Sequence, residues 1–291
     1  MTRRLTFPVG PSEDGMKAGN FLRHKGISHT LLVMIKRQGM LLCNDRPIFS
    51  NVPIHAGDLV SVEVAEESTS TTIAPEEGSL SILYEDEDLL AINKEAMIPV
   101  HPSRAHVYGT LAGRVMAYYK DRDFTFRAVN RLDLGTSGIV LIAKNPLSAN
   151  WFHERGNIVK EYTAFAEGVF PRDIAIDLPI TREAPEEMRR IVSLTGEQAL
   201  TLAHREEVRK GFSVVSFRLF TGRTHQIRVH ASHLGHPLLG DPLYNPGGMT
   251  LGLARQALHA KSVTLTLPYS TNRIVIQASL PDDMANILPT V

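Results

Sequence analysis

The segment "NRLDLGTSGIVLIAK", residues 130–144, places a guanidinium and a carboxylate two residues apart at the entrance to an apolar run. In an extended chain, residues two apart share a face, so Arg131 can hold Asp133 ionised and oriented. The residues after it predict a turn, and the β-branched residues from Ile139 predict a buried strand. A carboxylate fixed in this way is suited to act as a nucleophile or general base. A structural ion pair at a strand entrance is the simpler alternative.

A second segment, "FTGRTHQIRVHASHLGHPLLGDPLY", predicts a helix from about His225 to Leu234. Thr224 is the expected N-cap, and a glycine followed by a proline ends the helix. Arg223 precedes the helix and Arg228 lies in its first turns. Because the first N–H groups of a helix are unpaired, this arrangement favours binding of a phosphate.

Histidines in the same segment raise the alternative of a metal-dependent hydrolase. Asp241 is a possible further ligand. Zinc sites group their ligands more tightly than this spacing does, so capping, packing and RNA contacts are favoured over metal binding. The histidines are His225, His230, His233 and His236.

A third segment, "VKEYTAFAEG", places Lys160 and Tyr162 on one face of a predicted strand. A tyrosine in a site can stack on a base and offer its hydroxyl, although an ordinary strand tyrosine is the commoner case. The chain contains no phosphate-loop, dinucleotide-binding or serine-hydrolase motif. Nucleotide hydrolysis, dinucleotide redox chemistry and serine-hydrolase chemistry therefore have no support.

Charge is distributed unevenly along the 291 residues, although 31 basic and 31 acidic side chains give a net charge of zero. Residues 66–88 carry eight acids and no Lys or Arg, whereas residues 203–236 carry six Lys or Arg and five histidines against two acids. The local field matters more for binding than the total charge.

The single cysteine, Cys43, provides neither a disulfide nor a cysteine zinc site. No signal peptide or membrane span is predicted, and the cytoplasm is the simplest compartment.

The elements that position these residues predict two domains. Residues 1–66 read as two short helices and small strands, with basic candidates for RNA binding at Arg23, Lys25, Lys36 and Arg37. Residues 67–79 are polar and predict a linker with few contacts. From residue 80 onward, many strands with irregular connections favour an α+β fold.

These motifs, in this order, resemble the RluA-like family of pseudouridine synthases. "NRLDLGTSG" is similar to the family's H-R-L-D-x-x-T-S-G motif, and "GRTHQIRVH" with "GHPLLGDPLY" matches its second signature almost residue for residue. "KEYTAFAEG", "LHA" at 258–260 and "INKEAMIPVHPS" match further family segments. The resemblance covers about residues 80–285, and the N-terminal part resembles, more loosely, a small S-four-like RNA-binding domain.

The resemblance implies a mixed, mainly antiparallel central sheet in a catalytic domain at 80–291, and an RNA uridine isomerase that needs no cofactor or metal. Asp133 is the implied catalytic carboxylate, Tyr162 the active-site tyrosine and Arg228 the arginine that pairs with Asp133. Attack on the sugar, attack on the ring and removal of a sugar proton are all open to this carboxylate. The implied substrate-binding residues are Arg131, Thr136, Lys160, Arg223, Thr224, His225 and Gln226.

The expected partner is RNA, large-subunit ribosomal RNA rather than transfer RNA, with no DNA or membrane partner, and the protein is expected to be a monomer. Asn130, Glu95 and Met97 depart from the family pattern, and none of them replaces an implied catalytic residue. Two alternatives stay open: a catalytically silent RNA-binding protein on the same fold, and the metal-dependent hydrolase.

Overall fold

The computed structural model describes residues 2–38, 40–65, 72–104 and 106–288. The predicted domain boundary at 66–67 and the first part of the predicted linker lie outside these residues. The described chain forms a four-stranded sheet, a nine-stranded sheet and a two-stranded sheet, together with six α-helices.

The N-terminal module, residues 2–65, combines two short helices with the four-stranded sheet. Its elements are β1 (Thr2–Pro8), α1 (Ala18–His24), α2 (His29–Gln38), β2 (Leu41–Cys43), β3 (Arg46–Pro47) and β4 (Leu59–Ala65). The strands are antiparallel in the order β1-β4-β2-β3. Phe21 and Ile35, one from each helix, are fully buried in a common apolar core with residues of β4. The sequence predicted both helices but not β1, which carries two arginines.

The nine-stranded sheet occupies most of the remaining chain. Its strands are β5 (Ile82–Glu85), β6 (Leu89–Lys94), β7 (Ser137–Ala143), β8 (Val159–Glu167), β9 (Asp173–Asp177), β12 (Leu200–Arg209), β13 (Phe212–Leu219), β14 (Leu258–Thr266) and β15 (Arg273–Gln277). The two-stranded sheet contains β10 (Ile180–Arg182) and β11 (Arg190–Val192). The helices are α3 (Leu111–Tyr118), α4 (Pro146–Glu154), α5 (Gln226–His233) and α6 (Asp282–Ala285).

The large sheet is mixed and mainly antiparallel. Its order is β5-β6-β7-β14-β8-β13-β12-β9, with β15 added to the side of β14. β7 and β14 run parallel, whereas the other paired strands are antiparallel. The predicted α+β fold with a mainly antiparallel central sheet is therefore confirmed.

Central strands of this sheet carry the residues that the sequence singled out. All seven residues of β7 are buried, because apolar clusters cover both of its faces. This is why its sequence is a continuous apolar run rather than an alternating one. Asp133 precedes β7, Tyr162 lies in β8, and both strands pair with β14. The loop after β13 leads into α5, which carries Arg228.

The N-terminal module is docked against the elements that flank the large sheet. Leu147, at the start of α4, is fully buried in the apolar core of the module. Arg3 forms a two-pronged ion pair with Asp88, with Nε–Oδ1 at 3.0 Å and Nη2–Oδ2 at 2.9 Å. The Tyr269 hydroxyl donates to the Leu147 carbonyl at 3.1 Å, and its ring meets Phe7 edge-on. These contacts were not expected from a sequence that reads as two domains joined by a linker.

The described end of the predicted linker is also packed. The Glu76 N–H donates to the Gly113 carbonyl at 2.9 Å, and the Glu76 carboxylate accepts from the Gly109 N–H. Arg114 donates to the Ser79 carbonyl at 3.1 Å. The sequence from 76 to 79 therefore runs along α3, and its polar composition reflects surface hydrogen bonding rather than a lack of contacts.

Candidate active site

A cavity of about 500 Å³ opens beside the turn before β7, strand β8 and the N-terminal end of α5. Its wall contains every catalytic and substrate-binding residue predicted from the sequence. These residues are Arg131, Asp133, Thr136, Lys160, Tyr162, Arg223, Thr224, His225, Gln226 and Arg228. The fold thus brings three separate stretches of sequence to one site.

Asp133 presents its carboxylate to this cavity, with 25% of its side chain exposed. Arg228 donates from Nη1 to Asp133 Oδ2 at 2.9 Å. The same guanidinium makes two hydrogen bonds to the fully buried Asp241, Nε to Oδ2 at 2.7 Å and Nη2 to Oδ1 at 2.8 Å. Burial disfavours the Arg228 cation, but the hydrogen bonds and charge of Asp241, with the charge of Asp133, outweigh it and raise the pKa of Arg228. One fixed cation therefore lies between two carboxylates and orients Asp133.

Arg131 does not hold Asp133, as the R-x-D spacing predicted. The chain around residue 131 is irregular, and β7 begins only at Ser137. Asp133 instead starts a tight turn, in which the Thr136 N–H donates to the Asp133 carbonyl at 3.0 Å. Arg131 is exposed and lines both this cavity and an adjoining one. Residues two apart share a face only where the chain is extended and paired in a sheet. The chain here is not, so the spacing predicted the wrong arginine as the partner of Asp133.

Lys94 supports the turn that follows Asp133. Its side chain is 1% exposed, and Nζ donates to the carbonyls of Glu95 and Ile98 at 2.9 Å and of Leu134 at 3.3 Å. Burial, followed by the charge of Arg255, lowers the pKa of Lys94 to about 7. Three carbonyl acceptors nevertheless require three N–H donors, which only the ammonium form supplies. From the sequence, Lys94 was identified only as the end of a strand, because the burial of a lysine cannot be predicted from its neighbours in sequence.

Thr136 belongs to the same support. It was predicted to bind substrate, but it is 2% exposed and its hydroxyl accepts from the Gln256 amide at 3.1 Å. The neighbouring Gly135 has no room for a side chain, because an added Cβ would lie 2.4 Å from the Gln256 amide oxygen. The turn is therefore fitted closely to Gln256, and the Thr136 hydroxyl is directed into the protein.

Tyr162 and Lys160 line the cavity from β8. Tyr162 is 6% exposed. Burial, followed by the negative charge of Asp133, raises the pKa of Tyr162, so the phenol is protonated at neutral pH. Burial lowers the pKa of Lys160. Strand alternation predicted this shared face correctly, because β8 is a regular strand paired on both sides.

Helix α5 begins at Gln226 and is not capped by Thr224, in contrast to the sequence prediction. His225 occupies the N-cap position in the left-handed conformation, with φ of 59°. Thr224 is exposed and lines the cavity. Arg223 donates from Nε to the Gln198 carbonyl at 2.9 Å and pairs with Glu197.

Gln226 was predicted to contact substrate, but its amide is used within the protein. The amide nitrogen donates to the Leu200 carbonyl at 3.1 Å and to the Thr201 hydroxyl at 2.9 Å. The amide oxygen accepts from the Thr221 hydroxyl at 2.8 Å and the Arg223 N–H at 2.9 Å. An amide side chain has two donor hydrogens and two acceptor positions. Gln226 therefore shapes the loop before α5, and its polar atoms have no capacity left for a ligand.

His225 is the residue of this loop that faces Asp133. Its Nε2 lies 3.8 Å from Asp133 Oδ2, and its Nδ1 lies 3.0 Å from the Tyr244 hydroxyl. That hydroxyl accepts from the Arg190 N–H at 2.8 Å, so its single proton is available for Nδ1. Burial lowers the pKa of His225, although the charge of Asp133 opposes this effect. The ring is thus neutral at neutral pH, and the tautomer that accepts the Tyr244 proton at Nδ1 carries its own proton on Nε2, towards Asp133. Tyr244 was missed as a site residue and Asp241 was considered only as a possible metal ligand, although both belong to the quoted "GDPLY" segment.

Comparison with known proteins identifies the family of this chain. A family model described as RNA pseudouridylate synthase matches residues 88–233. The chain belongs to the RluA-like family of RNA pseudouridine synthases. A relative from Bacillus subtilis, named as the uncharacterised RNA pseudouridine synthase YjbO, is 36% identical over 90% of this chain and 95% of its own length. The enzyme is therefore an isomerase that converts uridine to pseudouridine in RNA.

Further relatives of this pseudouridine synthase carry more specific names. Ribosomal large subunit pseudouridine synthase D from Neisseria meningitidis is 33% identical over 90% of this chain and 74% of its own length. The solved structure of human RNA pseudouridylate synthase domain containing 1 matches with a TM-score of 0.56 and 25% identity, over 74% of this chain and 96% of that one. The shared fold thus covers about three quarters of this chain.

Two of the histidines that the metal-hydrolase alternative would use contact other groups in this pseudouridine synthase. Both ring nitrogens of His230 are engaged, Nδ1 with the Thr201 hydroxyl and Nε2 with the Leu178 carbonyl, each at 2.9 Å. His236 Nδ1 lies 2.9 Å from the Glu167 carbonyl. Across the described ranges, no three His, Cys, Asp or Glu side chains are grouped to hold a metal ion. Helices long and apolar enough to cross a membrane are likewise absent from that part of the chain.

Two departures from the family pattern have structural explanations in this enzyme. The Asn130 side chain donates to the Ile139 carbonyl at 3.1 Å and accepts from the Leu141 N–H at 2.7 Å, so it joins the chain before Asp133 to β7. Met97 adopts the left-handed conformation at φ of 63° and is 57% exposed. A glycine adopts this conformation without the steric cost that a methionine incurs.

His101 is a cavity residue that the sequence reading treated only as part of a rigid loop. It lines the cavity and packs edge-on against Phe126, with 4.9 Å between ring centroids. Burial, followed by the charge of Arg131, lowers the pKa of His101. The surrounding "VHPS" segment, which matches a family motif, was the sequence feature that could have identified His101 as a site residue.

Proposed function

We propose that this pseudouridine synthase modifies uridine in large-subunit ribosomal RNA and that Asp133 is its catalytic carboxylate. The observation that carries the proposal is the partly exposed Asp133 carboxylate, fixed by Arg228 at the wall of a cavity of about 500 Å³. Such a volume lies in the range of pockets that enclose small ligands. The names of the large-subunit relatives support the choice of RNA.

The chemistry requires one well-placed carboxylate rather than a pair. The bond from ribose to the ring nitrogen breaks, the base turns, and a ring carbon bonds to the ribose. No electron is gained or lost, and one nucleophile or base near the sugar is sufficient. The target nucleotide must leave its stack to enter the cavity, which costs a few kcal/mol. Phosphate contacts elsewhere on the protein offset this cost.

Tyr162 and His225 are the proposed partners of the base. Tyr162 lies against Asp133 as a neutral phenol and offers a face for stacking. Because the phenol is protonated, it can assist the last proton removal from the ring only by passing its own proton to a neighbouring base such as Asp133. His225 Nε2 lies 3.8 Å from Asp133 Oδ2, so in the Nε2–H tautomer it can donate to the carboxylate or to an oxygen of the bound nucleotide. Lys160 and Thr224 complete the polar wall.

The N-terminal module is the proposed S-four-like RNA-binding domain, with the catalytic domain at 80–291. Arg23, Lys36 and Arg37 are exposed and suited to phosphate contacts. Lys25 is a weaker candidate than predicted, because its Nζ pairs with Glu13 at 2.8 Å and lies over the Phe21 ring. An ammonium already paired with a carboxylate gains less from a phosphate.

An adjoining cavity of about 450 Å³ is the proposed path of the RNA backbone beside the target. Its lining includes four arginines against one acid, Glu197, and it shares a wall with the catalytic cavity. The Arg190 Nη1 atom is buried without a hydrogen-bond partner among the described residues. A guanidinium in such a place favours a phosphate oxygen. The arginines are Arg131, Arg182, Arg190 and Arg223.

Replacing both Arg182 and Arg190 by Gln should weaken productive RNA binding without changing the chemical step. We expect the KM for RNA to rise roughly tenfold, with kcat within about twofold, because two phosphate contacts are lost. The slope of log kcat/KM against log salt should become shallower by about 1.4. Arg273→Gln on β15, which removes an exposed arginine outside both cavities, is the control. An unchanged salt slope in the double variant would remove the proposed backbone path.

The choice of RNA is tested by incubating the full-length protein with transcripts of bacterial large-subunit ribosomal RNA and, separately, of transfer RNA. Pseudouridine is mapped by carbodiimide adducts and primer extension. The expected result is modification of one or a few uridines in the ribosomal RNA, with both RNAs intact on a denaturing gel. Modification confined to transfer RNA would overturn the ribosomal assignment, and cleavage of either RNA would revive the hydrolase.

A further inference from the structure

The catalytic turn, residues 133–136, is not paired with any strand of the described chain. The Met97 N–H donates to its Leu134 carbonyl at 2.8 Å, and buried side chains from other parts of the chain bind the same and the next carbonyl. Lys94 binds the Leu134 carbonyl from one direction, as described above. Arg255 binds the next carbonyl, that of Gly135, with Nη1 at 3.0 Å. Two buried cations therefore hold consecutive carbonyls directly after Asp133.

Arg255 is 4% exposed and depends on one carboxylate for its charge balance. Its Nε and Nη2 bind the two oxygens of Asp283 at 2.7 and 2.8 Å. Its Nη1 also binds the carbonyls of Gln256 and Leu258 at 3.0 and 3.3 Å. This fork leaves the guanidinium one orientation in which all of these bonds form.

Asp283 lies in α6, near the end of the described chain and 150 residues after Asp133. It is outside the segment 88–233 that the family model matches. Its side chain is 45% exposed and does not reach the catalytic cavity, whose wall it does not line. Its link to the site runs through Arg255, which binds the Gly135 carbonyl directly and also binds the carbonyls of Gln256 and Leu258.

We propose that Asp283 and Arg255 are positioning residues for the isomerisation: the C-terminal helix sets the place of the Asp133 turn through the Arg255 guanidinium. The inference rests on the proposed catalytic role of Asp133. A carboxylate displaced by about 1 Å from its working position costs on the order of 10²-fold in rate. Substrate binding is unaffected, because neither side chain lines the cavity.

The test compares Asp283→Asn with Asp282→Asn, its neighbour on the same helix, which removes the same charge without touching Arg255. We expect kcat of Asp283→Asn to fall roughly 10- to 100-fold, with KM for RNA within about twofold and Asp282→Asn unchanged. Asp283→Glu, which restores a carboxylate, should recover part of kcat. Arg255→Lys should be impaired like Asp283→Asn, because one ammonium cannot bind Asp283 and the Gly135 carbonyl as a fork does.

Thermal unfolding of each variant is measured as a control. The assay temperature must lie below the unfolding transition, so that kcat refers to folded enzyme. Equal kcat values for Asp283→Asn and Asp282→Asn would overturn the inference. So would a loss confined to KM, or full activity of Arg255→Lys. Asp133→Asn is assayed in parallel: if it stays active, the proposed catalytic role fails, whereas an inactive Asp133→Asn with a fully active Asp283→Asn defeats the positioning role alone.

Discussion

Asp133→Asn abolishes pseudouridine formation and leaves RNA binding intact: this is the largest effect that the structure leads us to expect. The substitution keeps the size of the side chain and its contact with Arg228, but it removes the charge and the nucleophilic or basic oxygen. Loss of a catalytic carboxylate lowers kcat by at least about 10⁴-fold. The dissociation constant for RNA should change less than about threefold, because phosphate contacts elsewhere dominate affinity. Tritium release from 5-tritiated uridine in RNA measures the first quantity, and filter binding measures the second.

The Asp133 experiment has a matched control in this chain. Asp173 is an exposed aspartate on β9 that pairs with His204 and lies outside the catalytic cavity. Asp173→Asn should retain activity. Turnover by Asp133→Asn at a rate near that of Asp173→Asn would remove the carboxylate from the mechanism, whatever its effect on binding.

Arg228→Met should lose both activity and stability, which distinguishes it from Asp133→Asn. Arg228 is the partner of the fully buried Asp241, so its removal leaves a buried carboxylate without a cation. Breaking a buried ion pair in this way costs about 3–5 kcal/mol of unfolding free energy. Asp133 simultaneously loses the side chain that orients it, and we expect kcat to fall by about 10³-fold. Urea unfolding and the tritium-release assay measure the two losses on the same preparation.

A second substitution separates the two effects of Arg228. Asp241→Asn, added to Arg228→Met, removes the unpaired buried charge, while an asparagine oxygen can still accept from the N–H groups of Leu243 and Tyr244. We expect part of the lost stability to return and activity to stay low, because Asp133 still lacks its arginine. Recovery of activity together with stability would mean that Arg228 serves folding only.

The sequence predicted the contents of the site more accurately than its contacts. Motif resemblance selected Asp133, Tyr162 and Arg228, and strand alternation correctly placed Lys160 beside Tyr162. The same alternation failed for Arg131, because the chain before β7 is a turn. Whether two side chains meet across 95 residues depends on the folded sheet, and local spacing contains no such information.

Buried polar side chains were the main omission. Lys94, Asp241 and Arg255 are ordinary charged residues in the sequence, and their functions appear only when the carbonyls and carboxylates around them are known. The partners of the Gln226 amide were missed as well, although Thr221 and Arg223 are close to it in sequence and only Leu200 and Thr201 are distant. The docking of the N-terminal module was missed because Leu147 and Tyr269 resemble ordinary core residues of the larger part.

The docked position of the N-terminal module has a consequence for the shape of the substrate. The distance between the exposed cations on α2 and Asp133 is set by the docking contacts of Leu147, Arg3 and Tyr269. The length of the connecting chain does not set it. An RNA that binds both the cations on α2 and the catalytic cavity must present a second phosphate-rich element at one fixed distance from the extruded uridine. The enzyme then selects its RNA substrate by three-dimensional shape as well as by nucleotide sequence. Lengthening the chain that connects the N-terminal module to the catalytic domain should leave this substrate selection unchanged.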